Sequence, residues 1–170
     1  MLTYLFDDRA ELKPSGRKVT WFLVFFYLIL LYLMCFSPQS VKSGIETPGI
    51  QYFGRIVVLL TPFNSFINFG QLNSPIEIIW VVGQNIANIF LLFPLILGLL
   101  ALFPTLRKWK TVLLTSFFIS LSIETIQILV DILYDANRVF EIDDLWTNTL
   151  GGLLAFSTYK VLKKRLQKLR

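Results

Sequence analysis

The sequence predicts an all-α fold: a polytopic membrane helical bundle of four transmembrane helices with an outer interfacial or re-entrant segment. Three observations predict it. The 170 residues are 55% hydrophobic and only 16% charged, whereas about 25% is usual in soluble domains. Several apolar runs approach the roughly 20 residues that cross ~30 Å of hydrocarbon. The basic residues flank these runs and do not form one stripe, which argues against nucleic acid as a partner.

Four apolar stretches are the predicted spans, at about residues 19–36, 78–103, 111–130 and 145–162. The first is longer than the apolar region of a signal peptide and lacks an A-x-A site, so we expect it to be retained as a signal anchor. The second contains Pro94 and Gly98, which predict a tilt or kink. The fourth stretch is the least apolar, and its prediction as a span depends on the assignment of the neighbouring spans.

The distribution of positive charge predicts the orientation of the chain. With four crossings, thirteen of the sixteen basic residues lie on one side and only Lys42, Arg55 and Arg138 lie on the other. The positive-inside rule then makes the first side cytoplasmic. The predicted organisation is a cytoplasmic segment at 1–18, a four-helix membrane domain at 19–162 and a basic cytoplasmic tail at 163–170, with both termini inside the cell.

The stretch between the first two spans, residues 37–77, is the hardest to interpret. Its apolar run at 56–63 is too short to cross a membrane and is interrupted by Pro62. If the wider region 52–69 crossed, every later loop would change sides and most basic residues would lie outside. The sequence therefore favours an outer loop with an interfacial or re-entrant piece.

Polar residues inside the spans are the candidate functional groups, because an ionised side chain at the centre of a span costs roughly 2.5–3.5 kcal/mol. Glu124 is the only acidic residue deep inside a predicted span. It belongs to a stripe on one helix face, formed by Ser116, Ser120, Glu124, Gln127 and Asp131. Such a face must contact protein or water. Helix packing is the favoured role of Ser116 and Ser120, whereas Glu124 and Gln127 are favoured to form or shape a functional site.

Polar residues of three spans and one loop lie at similar depths. At 1.5 Å per residue, the amides of the second span lie ~10–15 Å below the outer membrane edge, and Glu124 lies about 9 Å deep. Arg138 is a predicted partner of Glu124 or of an aspartate. Gly151 and Gly152 of the fourth span allow close helix packing. The predicted polar site comprises Asn85, Asn88, Glu124, Gln127, Arg138, Asp143, Asp144 and Asn148.

Several kinds of chemistry are excluded or not indicated. The chain has no histidine and a single cysteine, Cys35, which excludes imidazole ligation of a metal and an internal disulfide. No nucleophile motif or metal triad is evident. We therefore expect no metal and no cofactor, and the sequence does not decide whether a reaction is catalysed.

These motifs resemble those of the VanZ-like family of bacterial integral membrane proteins. The resemblance covers roughly residues 20–160. It rests on Asn85-x-x-Asn88-x-Phe90 with Pro94 and Gly98, on Glu124-x-x-Gln127, and on the run from Arg138 through Glu141-Ile142-Asp143-Asp144 to Asn148, Gly151 and Gly152. The segment from Leu59 to Phe63 is similar to the family's Asn-Leu-Ile-Pro-Phe, with Leu59 in place of the asparagine and Thr61 in place of the isoleucine.

The resemblance implies a multi-pass protein of the bacterial plasma membrane with a role in resistance to the glycopeptide teicoplanin, and it implies no particular reaction. Three functions remain open. The polar site recognises or modifies an envelope molecule, such as a lipid-linked precursor or a lipoglycopeptide. Alternatively, the protein is a non-catalytic accessory acting through helix contacts, or a small ion-coupled transporter with Glu124 as proton carrier. Membrane lipids are expected partners, and the sequence does not give the oligomeric state.

Overall fold

The computed structural model describes residues 2–39, 48–71 and 74–169, and this part of the chain is mostly helical. In chain order its elements are α1 (Leu2–Leu5), α2 (Pro14–Phe36), β1 (Gln51–Phe53), β2 (Ile56–Leu59), α3 (Asn64–Ile67), a 3-10 turn (Phe69–Gln71), α4 (Pro75–Leu91), α5 (Phe93–Leu102), a second 3-10 turn (Pro104–Leu106), α6 (Trp109–Tyr134), β3 (Val139–Glu141) and α7 (Ile142–Lys168).

Within the described ranges, three helical segments are long and apolar enough to cross a membrane. They are Pro14–Phe36, Pro75–Leu102 and Trp109–Tyr134. The first three predicted spans are thus present, with helices that extend beyond the apolar runs at one or both ends. The fourth predicted span lies within α7, which has 27 residues but contains Asp143 and Asp144 in its first turn and lysines toward its end. Its length suffices for a span, while its composition is less apolar than that of the other three.

The second span is interrupted where the sequence predicted a kink. Helix α4 ends at Leu91 and α5 begins at Phe93, one residue before Pro94. Proline has no backbone N–H and fits best in the first turn of a helix, so a new helix begins there. At this break the Leu91 carbonyl accepts a hydrogen bond from a side chain of another helix, the Tyr27 hydroxyl of α2, at 2.6 Å.

Helix α7 lies at the centre of the bundle. It packs against α4, α5 and α6, while α2 lies at the periphery and packs mainly against α5. The most deeply buried residues of the apolar core are Leu92, Leu100, Leu102 and Ala155. Because α7 is surrounded on three sides, it can carry small and polar residues that a lipid-facing helix would not tolerate.

The segment between the first two spans contains strands. β1 pairs antiparallel with β2, and β2 pairs parallel with β3, across about 80 residues of sequence. Residues Val57–Leu59 of β2 are buried and contact α6. The all-α prediction omitted this sheet. The apolar run at 56–63 is a β-strand followed by a turn, and whether the segment dips into the membrane stays a prediction.

The bundle has two distinct ends. The sheet end is the end at which β1, β2 and β3 lie. At the opposite end, which we call the basic end, the Glu11 carboxylate accepts two 2.7 Å hydrogen bonds from the Arg107 guanidinium and one from Lys163. These contacts join the N-terminal segment, the connection between α5 and α6, and the C-terminal part of α7.

Candidate functional site

The polar stripe predicted on the third span is buried in the bundle. Ser116, Ser120, Glu124, Gln127 and Asp131 are all less than 9% exposed on α6. They face α7, β3 and the end of α2, as the hydrogen bonds below show. The sequence predicted that this face contacts protein or water, and in the structure it is buried within the protein. The spacing of three and four residues aligns the side chains on one side of the helix.

Three carboxylates form an acidic cluster at the sheet end: Glu124, Glu141 and Asp144. The backbone N–H of Glu141 donates to Glu124 Oε2 at 3.1 Å. Gln84 Nε2 donates to Glu141 Oε1 at 2.9 Å, and Asn88 donates to Asp144 Oδ1. Neutral amides therefore bind all three carboxylates. Among the residues that the structure describes, no lysine or arginine forms an ion pair with the cluster.

The cluster brings three carboxyl groups close together at a place with little access to solvent, where Glu141 and Asp144 are half-buried. Glu124 is only 1% exposed. Burial, and then the nearby Asp144 carboxylate, raise the pKa of Glu141 to about 8. Buried carboxylates without a cationic partner favour a bound proton or a bound cation, because desolvation penalises their charged form.

A hydrogen-bond chain runs from the acidic cluster into the bundle. The Ser120 hydroxyl donates to the Asp144 carbonyl at 3.1 Å and accepts from Asn148 Nδ2 at 2.9 Å. Asn148 is fully buried, and its Oδ1 has no hydrogen-bond partner in the described part of the chain; the same is true of the Ser116 hydroxyl. Buried polar atoms normally have partners, so the interior of the bundle retains unused hydrogen-bonding capacity.

Asp143, although adjacent to Asp144, has different partners. Its carboxylate accepts hydrogen bonds from the backbone N–H groups of Phe63 and Asn64, at 2.7 and 2.9 Å, and from Trp146 Nε1 at 2.9 Å. Phe63 has a left-handed backbone, with φ of 55°, and its ring lies 5.5 Å from that of Trp146. Asp143 therefore fixes the turn after β2 and is not part of the acidic cluster.

The expected ion pair between Glu124 and Arg138 is not present in the structure. The Arg138 guanidinium donates to the backbone carbonyls of Ser37 and Met34, at 2.8 and 2.7 Å, and its backbone N–H donates to Asp131. Arginine side chains commonly bind the free carbonyls at a helix C-terminus. Gln127 binds the Cys35 carbonyl in the same way, at 3.1 Å. Arg138 and Gln127 thus fix the end of α2 against α6.

The two predicted asparagines of the second span are also separated in their roles. Asn88 binds Asp144, whereas Asn85 Nδ2 donates to the Ser65 hydroxyl and to the Val81 carbonyl. Of the eight predicted residues, Asn88, Glu124, Asp144 and Asn148 belong to the cluster and its hydrogen-bond chain. Asn85, Gln127, Arg138 and Asp143 hold the surrounding segments.

Sequence reasoning missed three residues of this region. Glu141 was part of a quoted motif but was not chosen as a site residue. Gln84 lies four residues before Asn88, and that spacing alone indicates a shared helix face. Asn64, 2% exposed, binds both Asp143 and the Pro48 carbonyl. The sequence signal for a turn at Asn64 was limited to the preceding Pro62-Phe63 pair.

Comparison with known proteins identifies the chain at the level of family. A family model described as VanZ/LLP1 matches residues 22–163, which is most of the chain. The protein belongs to the VanZ/LLP1 family. No curated protein and no solved structure matches it. The matched region includes most of the first apolar span, the whole of the other two, the sheet and the acidic cluster. The site described above therefore belongs to the family domain of this VanZ-family protein.

The arrangement limits the chemistry that the site can perform. No group of acidic or cysteine side chains in the described ranges is arranged to hold a metal ion. The chain has no histidine to activate a serine. The available groups are carboxyl groups that can accept hydrogen bonds or bind a proton, side-chain amides and unused buried oxygens. These groups suit recognition of a hydroxyl-rich or cationic head group, or binding of a proton.

Proposed function

We propose that this VanZ-family protein lowers the susceptibility of a bacterium to teicoplanin by recognising a lipid-linked envelope precursor, or the lipoglycopeptide itself, at the acidic cluster. The observation that carries the proposal is the cluster itself: the buried Glu124 and the half-buried Glu141 and Asp144, all three joined to amides at one end of a membrane bundle. Family membership supports the link to glycopeptide resistance.

The proposal includes four crossings of the plasma membrane, with both termini in the cytoplasm and the sheet end outside. The central position of α7, packed against α4, α5 and α6, supports its assignment as the fourth span. Its 27 residues extend roughly 40 Å at 1.5 Å per residue. The ion pairs at the basic end support a common side for the N-terminal segment and the end of α7, and the charge distribution favours the cytoplasm for that side.

Recognition at this place follows from the chemistry of the cluster. Amines and hydroxyls of a precursor or glycopeptide would donate to the carboxylates of Glu124 and Asp144. Hydrogen bonds to charged groups are stronger than neutral ones, and electrostatic interactions strengthen where water is excluded. The adjacent membrane would accommodate the lipid part of the same ligand. A lipid tail is a feature of teicoplanin that we expect to direct the effect toward that drug.

The test is expression of the protein in a susceptible bacterium, with measurement of minimal inhibitory concentrations. We expect increased tolerance to teicoplanin and a smaller change for vancomycin. Glu124→Gln and Asn88→Ala should remove the effect at unchanged protein abundance. Asp135→Asn, at an exposed carboxylate outside the cluster, is the matched control and should retain it. Equal tolerance to both drugs, or a fully active Glu124→Gln variant, would contradict the proposal.

A second candidate is a non-catalytic accessory role through helix contacts. The chain from Asp144 through Ser120 to Asn148 favours it, because it joins α6 to α7 by internal hydrogen bonds. A neutral glutamine can replace a hydrogen-bonded carboxyl group in such a lock, whereas alanine cannot. Full activity of Glu124→Gln together with loss of activity in Glu124→Ala would therefore favour the accessory role.

A further inference from the structure

A cleft of about 720 Å³ opens on the side of the bundle between α2 and α6, away from the acidic cluster. Leu28, Leu31 and Phe36 line it from α2, Leu95 forms its floor from α5, and residues between Lys110 and Ile126 line it from α6. Helix α2 packs mainly on α5, and near the sheet end Gln127 of α6 binds the Cys35 carbonyl of α2.

The lining of the cleft suits a hydrocarbon chain. It is predominantly apolar, with the side chains of Thr111, Thr115 and Ser122 as its uncharged polar members. The Ser122 hydroxyl donates to the Phe118 carbonyl at 2.7 Å. The α6 wall from Lys110 to Ile126 is about 24 Å long at 1.5 Å per residue, most of the ~30 Å hydrocarbon thickness.

The charge at one mouth of the cleft indicates which lipid would occupy it. Lys110 is its one charged lining residue and lies at the basic end. Its Nζ lies 5.7 Å from the centre of the Trp109 ring, a pairing typical of the membrane interface. In the described part of the chain, Lys110 forms no ion pair. Arg107, the neighbouring cation, is instead occupied by Glu11.

We propose that this cleft is a binding site for one anionic phospholipid, with an acyl chain between α2 and α6 and the phosphate at Lys110. The proposal is independent of the function of the acidic cluster. A lipid here fills space that α2 and α6 leave open, and it anchors the peripheral α2 to the rest of the bundle.

Native mass spectrometry of the full chain in mild detergent tests the proposal, with equimolar phosphatidylglycerol and phosphatidylcholine as probes. We expect one phosphatidylglycerol per chain, in preference to phosphatidylcholine. Lys110→Gln should reduce this preference about fivefold, as expected for one basic residue near a phosphate. Lys18→Gln, at an exposed lysine of the same end, should leave it unchanged.

A second set of variants tests the proposal by filling the cleft with a larger side chain. Leu114 is 53% exposed and lines the cleft, so Leu114→Trp should reduce binding of both lipids without disturbing the core. Leu129→Trp, at a similarly exposed position of α6 outside the cleft, is the control. Leu114→Phe replaces Leu114→Trp if the latter unfolds.

Equal binding of both lipids with no effect of Lys110→Gln would overturn the proposal. So would a dimer that the Leu114 variants dissociate, because the cleft would then be a contact between two chains.

Discussion

Two neighbouring carboxylates show how much a single position in a helix decides. Asp143 and Asp144 project about 100° apart around α7. Asp143 therefore binds the Phe63–Asn64 turn and Trp146, while Asp144 faces Asn88 on α4. One residue of rotation separates a side chain that holds a loop from one that forms the candidate site.

Replacement of Asp143 by asparagine should destabilise the protein. The new NH₂ group would face a backbone N–H that now donates to a carboxylate oxygen, and hydrogen bonds to charged groups contribute about 1.5–3 kcal/mol. We expect the free energy of unfolding in detergent to fall by about that amount, with faster hydrogen exchange at the Phe63 and Asn64 amides. Asp135→Asn, at an exposed helix end, should change neither. Unchanged exchange at both amides would show that Asp143 does not hold the turn.

At the residue scale, spacing predicted which side chains are buried better than it predicted their partners. The stripe from Ser116 to Asp131 follows from helix periodicity alone. The partner of Arg138 does not follow from it, because backbone carbonyls at the end of α2 compete for one guanidinium with the acidic residues of the 131–144 segment. The carbonyls of Met34 and Ser37 accept its hydrogen bonds. Backbone carbonyls left without a partner at a helix end cannot be recognised from residue types, because every residue has a carbonyl.

Among the elements, α7 depends most on small side chains. A Cβ atom at Gly151 would lie 1.8 Å from the Ile89 carbonyl oxygen of α4. The absence of a side chain there allows the two backbones to approach, as is common between membrane helices. The same approach brings Asn88 within hydrogen-bonding distance of Asp144.

Alanine at Gly151 should therefore separate α7 from α4. Because the clashing atom is backbone, relief requires movement of a whole helix, and overpacking of this kind costs about 1–3 kcal/mol. Gly83→Ala is the matched control, since nothing lies within 4 Å of its added Cβ and alanine favours a helix by about 0.5–1 kcal/mol. Thermal unfolding in detergent should show a lower midpoint for the first variant and an equal or higher one for the second. A Gly151→Ala midpoint equal to that of wild type would contradict close packing at this point.

At the scale of elements, helices were predictable and the sheet was not. Each apolar run of roughly 20 residues implies a helix, and Pro94 marked the break between α4 and α5 within a few residues. β2 has the Ile-Val-Val composition typical of a strand. Its partner β3 is only three residues long and lies about 80 residues away, so local pattern could not reveal the pairing.

For the whole molecule, the ion pairs at the basic end close the bundle. The hydrogen bonds from Arg107, and a further one from Lys163, hold the pKa of Glu11 at about 2, below its ordinary value of 4.5. A depressed carboxylate pKa stabilises the folded state at neutral pH, and that stabilisation is lost as the pH falls through the folded value.

The thermal midpoint of the wild type should accordingly exceed that of Glu11→Gln at pH 7. The difference should shrink as the pH falls below about 4.5 and disappear below pH 2, where the wild-type carboxyl also becomes neutral. Lys164→Gln, which removes an exposed charge adjacent to Lys163, should show little difference at any pH. A difference between wild type and Glu11→Gln that is independent of pH would mean that packing, and not charge, gives Glu11 its role.

The central claim is that α7 crosses the membrane, so that the acidic cluster faces outside while both termini remain in the cytoplasm. Labelling with an impermeant maleimide tests it most directly. Single cysteines replace Lys108, Tyr134 or Lys164 in a Cys35→Ser background, and all three positions are exposed in the structure. In intact cells we predict labelling at position 134 alone, with 108 and 164 labelled only after permeabilisation. Labelling of position 164 in intact cells would contradict the four-span account.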